Sequence, residues 1–290
     1  MGKVVYCKMN IKIFKTPKQV SDELSSYIIS NYILSRKNIA ISGGSTPIML
    51  FEEISKKLKK KKKIESNFKS DFAIVQGNKM FLDPGDSLDL SIRGVYGELD
   101  TEIVKNEIKS GDIVIDVGAH IGLFALFASQ FCKRGKIFCF EPIKENYELL
   151  VENINSNKIK NIIPFNFAVS NTSDSVKIFL NDDYSGHSMF LETNNFVIVK
   201  SKSLFDIFSE NNIQECNFLK LDCEGAEYDI INSLSPEFLN KIKKYAIEYH
   251  LADTHPELLQ QLIKKLRKLS FIVNTRPLFS DIGFLFAIKK

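Results

Sequence analysis

Apolar residues along this chain fall into two alternating rhythms. From Phe72 onward, short β-branched and aromatic runs give way to stretches with apolar residues three and four apart, the pattern of strands alternating with helices. Ile113, Val114 and Ile115 form a continuous apolar run, as expected for a parallel strand buried on both faces. Leu123, Phe124, Leu126, Phe127 and Phe131 predict a helix that is apolar nearly all round, followed by a strand over 136–140. Residues 146–155 predict an amphipathic helix with Leu149, Leu150 and Ile154 inward. Strands are expected at 162–167, 218–221 and 245–249, and helices at 226–234 and 256–269. Residues 271–274 and 284–288 would close the sheet. Ahead of this core, 72–76 and 79–83 predict a hairpin around Gly77-Asn78, and 94–109 a helix. An insertion hairpin is expected at 176–180 with 188–190, and a helix at 201–208.

The first core strand ends at Asp116 and Gly118. Gly118-Ala119-His120-Ile121-Gly122 then supplies a tight turn where backbone approaches a ligand, leading into a helix whose first amides favour electronegative groups. Glu141 closes the second strand, about where a carboxylate accepts ribose hydroxyls in a βαβ nucleotide fold. A dinucleotide fingerprint anchored on Gly118 would need glycine where the chain has His120 and Leu123, which speaks against NAD.

DVGAHIG followed by FEP resembles motif I of class I S-adenosylmethionine-dependent methyltransferases, and the FkbM branch in particular. NYELLVENINSN, FNFAVSN, SGHSMF and FLKLDCEGAEYDII follow in that family's order, so the likeness covers residues 70–290. The resemblance implies an α/β fold built on a Rossmann-like, seven-stranded, mostly parallel doubly wound sheet. It implies S-adenosyl-L-methionine as cofactor and a methyltransferase acting on a hydroxyl of a small molecule or glycan. It places Asp116, Gly118, Ala119, His120 and Gly122 around the methionine part, Glu141 on the ribose, Pro142 or Ile143 beside the adenine, and Ala168 and Val169 on its far side.

A hydroxyl acceptor loses a proton, which invites a base. Asp222 and Glu224 are the best-placed carboxylates, since two in one pocket push one pKa upward. Their structural alternative is a pair capping the next helix. His250 is a further candidate because imidazole titrates near neutrality, against the alternative of a hydrogen-bonded core histidine. His187 and Ser188 are candidates for acceptor contact. No HExxH, CxxC or triad pattern occurs, so no metal is assigned; a divalent ion would have Asp222 and Glu224 to bind.

Residues 1–63 read as a separate unit. ISGGSTPIMLFEEI resembles the phosphate-binding loop of the 6-phosphogluconolactonase and glucosamine-6-phosphate isomerase family, with Gly43, Gly44, Ser45 and Thr46 as phosphate contacts. Only about the first quarter of such an enzyme is present, without its acid and base. Residues 1–63 are therefore expected to be a truncated lobe with a Lys-rich linker, and 64–290 the methyltransferase domain. Two readings of other classes follow: a sugar-phosphate-binding protein using SGGSTP, or a nucleic-acid-binding adaptor using the lysines of 56–63.

Composition narrows the partners. The 290 residues are 44% hydrophobic and 26% charged, as in ordinary globular proteins. The net charge of +4 divides into +10 over residues 1–63 and −6 over the rest, which argues against nucleic acid as the substrate of the larger part. Five cysteines without CxxC spacing fit free thiols in a reducing compartment. The sequence has no apolar run of membrane-spanning length and no apolar signal core at its N-terminus, so a cytoplasmic location is expected.

Overall fold

The computed structural model describes residues 24, 72–84, 86, 88, 90, 98–180 and 194–290. The chain divides into two units, Met1–Ser70 and Asp71–Lys290, and the architecture below is that of the second. The SGGSTP loop, the lysine run, and the His187 and Ser188 segment all lie outside the described residues.

Seven strands form the central sheet: β3 (Ile113–Val117), β4 (Lys136–Phe140), β5 (Ile162–Phe165), β9 (Phe218–Leu221), β10 (Lys244–Tyr249), β11 (Phe271–Pro277) and β12 (Gly283–Lys289). Their order is β11-β12-β10-β9-β3-β4-β5. Neighbours from β10 through β5 pair in parallel, and β12 alone runs antiparallel, between β10 and β11. This is the mostly parallel, doubly wound sheet expected of a class I methyltransferase. The order reverses at β3, with β4 and β5 to one side and β9 and β10 to the other, which opens a crevice at the carboxyl ends of these strands.

Alternation along each strand sorts the core into two layers. Ile115, Val117, Phe138, Phe140, Leu219, Leu221, Tyr245 and Ile247 face one side, packed with helices α4 (Leu204–Glu210), α5 (Glu227–Asn232), α6 (Pro236–Leu239) and α7 (Pro256–Lys268). Val114, Ile137, Cys139, Phe218 and Ala246 face the other, packed with α1 (Glu98–Glu107), α2 (Leu123–Ser129) and α3 (Lys144–Ser156). By the same alternation Asp116 and Lys220, paired in register on β3 and β9, point into the second layer.

The helices and strands read from the pattern are present, with shifts at their ends. The hairpin β1 (Phe72–Val75) and β2 (Asn78–Phe81) turns at Gln76-Gly77, one residue earlier than expected. Both turn residues have positive φ, 48° and 85°, as the tight two-residue turn demands, and glycine takes the second place. Asn153 on α3 and Asn157 at its C-terminal cap complete the β2 edge as a strand would. Phe81 N donates to Asn153 Oδ1 at 2.6 Å and Lys79 N to Asn157 Oδ1 at 2.9 Å, while each amide nitrogen donates back to the same residue's carbonyl. Asn153 also donates to Ile121 O at 2.8 Å, tying the hairpin to the glycine turn.

The insertion differs more. β7 (Ser175–Phe179) pairs antiparallel with β8 (Phe196–Lys202), which also pairs with the short β6 (Ala168–Val169). Residues 201 and 202 therefore belong to a strand and not to the expected helix, whose start is fixed by the Ser203 side chain capping Asp206 N at 3.1 Å. β-branched valines at 197 and 199 suit the strand, and the helical spacing begins only after the cap.

Candidate active site

A cavity of about 230 Å³ opens at the carboxyl ends of β3, β4 and β9. Gly118, Ala119 and His120, Glu141, Pro142 and Ile143, Ala168 and Val169, and Asp222 and Glu224 all line it. Three loops at strand ends hold a non-glycine residue at positive φ: His120 after β3 (49°), Glu224 after β9 (53°) and Leu251 after β10 (61°). Such conformations persist where the surrounding contacts over-determine them.

The glycine turn is closed on itself. Gly118 N and Ala119 N both donate to Phe140 O at 3.1 Å, Gly122 N donates to Ala119 O at 2.9 Å, and His120 N donates to Glu141 Oε2 at 2.9 Å. The expectation that these amides meet a ligand is thereby corrected: four of the five are engaged within the protein. Gly118 has φ +76°, and a Cβ there would lie 1.8 Å from Asp222 O, so the turn packs directly against the loop after β9.

Glu141 joins that turn to the next loop, because its Oε1 accepts from Ile143 N at 2.9 Å. Burial pushes its carboxyl up to about 7, against the lowering effect of the two amides and of Lys220. The Asn146 side chain also hydrogen-bonds this carboxylate, and the acceptor capacity that remains suits a ribose hydroxyl. Pro142, Ile143, Ala168 and Val169 supply apolar wall beside it, and the acidic wall beyond suits a sulfonium. The residues thus fit S-adenosylmethionine, whose sulfonium supplies the methyl group when bound. Glu141→Ala is expected to weaken its binding by about 1.5 to 3 kcal/mol, read by calorimetry. Unchanged affinity would remove Glu141 from the site.

Asp116 does not line the cavity. It is fully buried beneath the floor, and Lys220 Nζ lies 3.3 Å from its Oδ1. Burial pushes the Asp116 carboxyl up, with Lys220 opposing. The same ammonium lies 3.3 Å from Asp222 Oδ2 and donates to Gly118 O at 3.1 Å. Lys220 and Glu248 both line the cavity, and sequence reasoning missed them. A lysine inside the apolar strand FLKL, in register with a strand-end aspartate, was the available signal.

Glu227, fully buried on α5, holds the loop after β9. Its Oε1 accepts from Cys223 N at 2.7 Å and its Oε2 from Gly225 N at 3.0 Å. Helix capping is the structural role weighed for Asp222 and Glu224, but α5 has no side-chain cap, and Glu227 holds the loop ahead of the helix instead. Glu227 Oε1 also meets His250 Nδ1 at 3.1 Å, while His250 Nε2 lies 3.5 Å from Glu224 Oε2 and 3.8 Å from Glu248 Oε1. Burial alone would lower the imidazole, but Glu227, Glu224 and Asp222 together outweigh it and push it up to about 10. These carboxylates favour the protonated ring, and His250 does not line the cavity. Its contacts with Glu227 and Glu224 suit a charged clamp on Glu224, the hydrogen-bonded alternative to a proton acceptor. Ligating atoms of Asp222, Glu224 and His250 come within 4.8 Å of one another, a spacing that could hold a metal ion.

A histidine raised above its unfolded value near 6.5 stabilises the fold fully below that pH and ceases to as pH rises through about 10. The melting temperature is thus expected to fall from pH 7 to 10, with a part of that fall missing in His250→Gln. Identical pH dependence in the two proteins would show the ring to be neutral.

Among the described residues no helix is long and apolar enough to cross a membrane. Comparison with known proteins bears on the family. The methyltransferase FkbM domain matches residues 116–273, more than half of the chain. Methyltransferase sdnD of Sordaria araneosa is 22% identical over 189 residues, 53% of this chain and 73% of that protein. Methyltransferase 1 of Beauveria bassiana (strain ARSEF 2860) is 22% identical over 157 residues, 47% of this chain and 63% of that protein. Among solved structures, the precorrin-6Y C5,15-methyltransferase of Geobacter metallireducens GS-15 aligns with a TM-score of 0.44 at 11% identity, over 67% of this chain and 89% of that one. By the extent of the domain match, the chain belongs to the FkbM family and is an S-adenosylmethionine-dependent methyltransferase.

Proposed function

We propose that the enzyme transfers the methyl group to a hydroxyl oxygen of a small molecule or glycan. The observation that carries this reading is the pair Asp222 and Glu224 on the cavity wall, across the glycine turn from Glu141. Methyl transfer from a sulfonium is an in-line displacement, so the protein's main tasks are to align the acceptor and exclude water. Asp222 orients the acceptor hydroxyl and takes its proton. Glu224, held by the His250 imidazolium, positions the acceptor beside it. Glu141, Asp222, Glu224 and Glu248 line the cavity together with Lys220, a balance that favours neutral acceptors over phosphate-bearing ones. His187 and Ser188 are proposed to reach the acceptor from the insertion.

A screen with methyl-labelled cofactor against sugars, glycosides, phenols and RNA tests the reading. Label in a hydroxyl-bearing small molecule or glycan is expected, and label confined to RNA overturns it. We also propose that residues 1–63 form an appended lobe whose SGGSTP loop contacts phosphate. The family match begins at residue 116, so this part rests on its own sequence. Glucosamine 6-phosphate titrated into the full chain should give saturable heat; none would remove the phosphate site.

A further inference from the structure

The methionyl tail of the cofactor is a zwitterion, and its carboxylate has to meet a donor. We propose that Lys220 is that donor, its ammonium binding the tail carboxylate. The glycine turn does not offer its usual cradle, since the amides of Gly118, Ala119, His120 and Gly122 already donate to Phe140 O, Glu141 and Ala119 O. Among the described residues lining the cavity, Glu141, Asp222, Glu224 and Glu248 would repel a carboxylate, and Lys220 carries the opposite charge. Its ammonium is also held in place before any ligand arrives. Asp116 pairs with it from beneath at 3.3 Å, Gly118 O accepts from it at 3.1 Å, and the Phe124 ring lies 5.8 Å away. The side chain keeps 13% exposure, so it is supported from below yet reachable from the cavity.

On the cavity side the ammonium faces Asp222 Oδ2 at 3.3 Å. Lysine is a point charge with three rotatable donors, so an entering carboxylate can take that direction while the contacts to Asp116 and Gly118 O persist. Asp222 is then released toward the acceptor. The inference concerns the cofactor and stands whichever acceptor is methylated.

Calorimetric titration of the full chain with S-adenosylmethionine, its decarboxylated analogue and 5′-methylthioadenosine, which lacks the tail, tests it. Wild type is expected to bind S-adenosylmethionine about 10- to 100-fold more tightly than the decarboxylated analogue. Lys220→Met should lose that preference but leaves the buried Asp116 unpaired. The pair Asp116→Asn with Lys220→Met removes both charges together and keeps the fold testable. The double variant should show no preference, with methylthioadenosine affinity within about twofold of wild type, and Lys220→Arg should restore most of it. A wild-type protein indifferent to the carboxylate overturns the proposal without any variant. A double variant that retains the preference overturns it too, and reduces Lys220 to a counter-ion for Asp116.

Discussion

Gly118→Ala is expected to abolish cofactor binding and to destabilise the protein by about 2 to 5 kcal/mol, combining left-handed backbone strain with overpacking. The added Cβ would sit 1.8 Å from Asp222 O, 3.0 Å from its carbonyl carbon and 3.8 Å from its Cα. These are backbone atoms, so no side chain can swing aside to make room. Two loops would have to separate: the glycine turn, anchored to Phe140 O, and the loop after β9, anchored by Asp222 N donating to Val117 O at 3.2 Å and by Glu227. The loop after β9 carries the proposed base, and the glycine turn holds the Lys220 ammonium proposed to meet the cofactor's tail, through Gly118 O. Thermal melts with and without S-adenosylmethionine read both effects. An alanine variant that melts and binds like wild type would show that the close approach of the two loops is not required.

Asp222→Asn is expected to lower turnover by about 10²-fold or more, the usual scale for loss of a general base. Asparagine keeps the shape, and Lys220 keeps Asp116 and Gly118 O as partners, so the fold should survive. The measurement uses an acceptor found in the labelled screen, with cofactor affinity determined separately. A fully active variant would exclude an essential carboxylate base here and leave alignment as the whole of the chemistry. Low turnover with cofactor affinity preserved would assign the loss to the acceptor side of the cavity.

Local sequence rules fail here where long-range partners compete. Gln76-Gly77, and not Gly77-Asn78, makes the hairpin turn because register is fixed across the strands and by Asn153 on α3 and Asn157 at its cap. Residues 201–202 join β8 because β6 and β7 each offer it a ladder. Neither partner is a neighbour in sequence. A reading based on windows of adjacent residues therefore had no access to the deciding contacts.

What the sequence determined by itself was the alternation of strands and helices, the glycine turn after β3 and the carboxylates after β4 and β9. Those features follow from periodicity, from glycine's freedom at positive φ and from strand ends sharing one rim of a parallel sheet, all of which are local or set by topology. Only the tertiary structure decided which charges meet. It turned Asp116 beneath the floor and set Lys220 above it, because neighbouring parallel strands bring those two positions into register. It also surrounded His250 with Glu227 from α5, Glu224 from the loop after β9 and Glu248 from β10, carboxylates that push the imidazole up to about 10. A side chain's charge state depends on burial and on partners brought from distant segments, and neither is written at its own position in the chain.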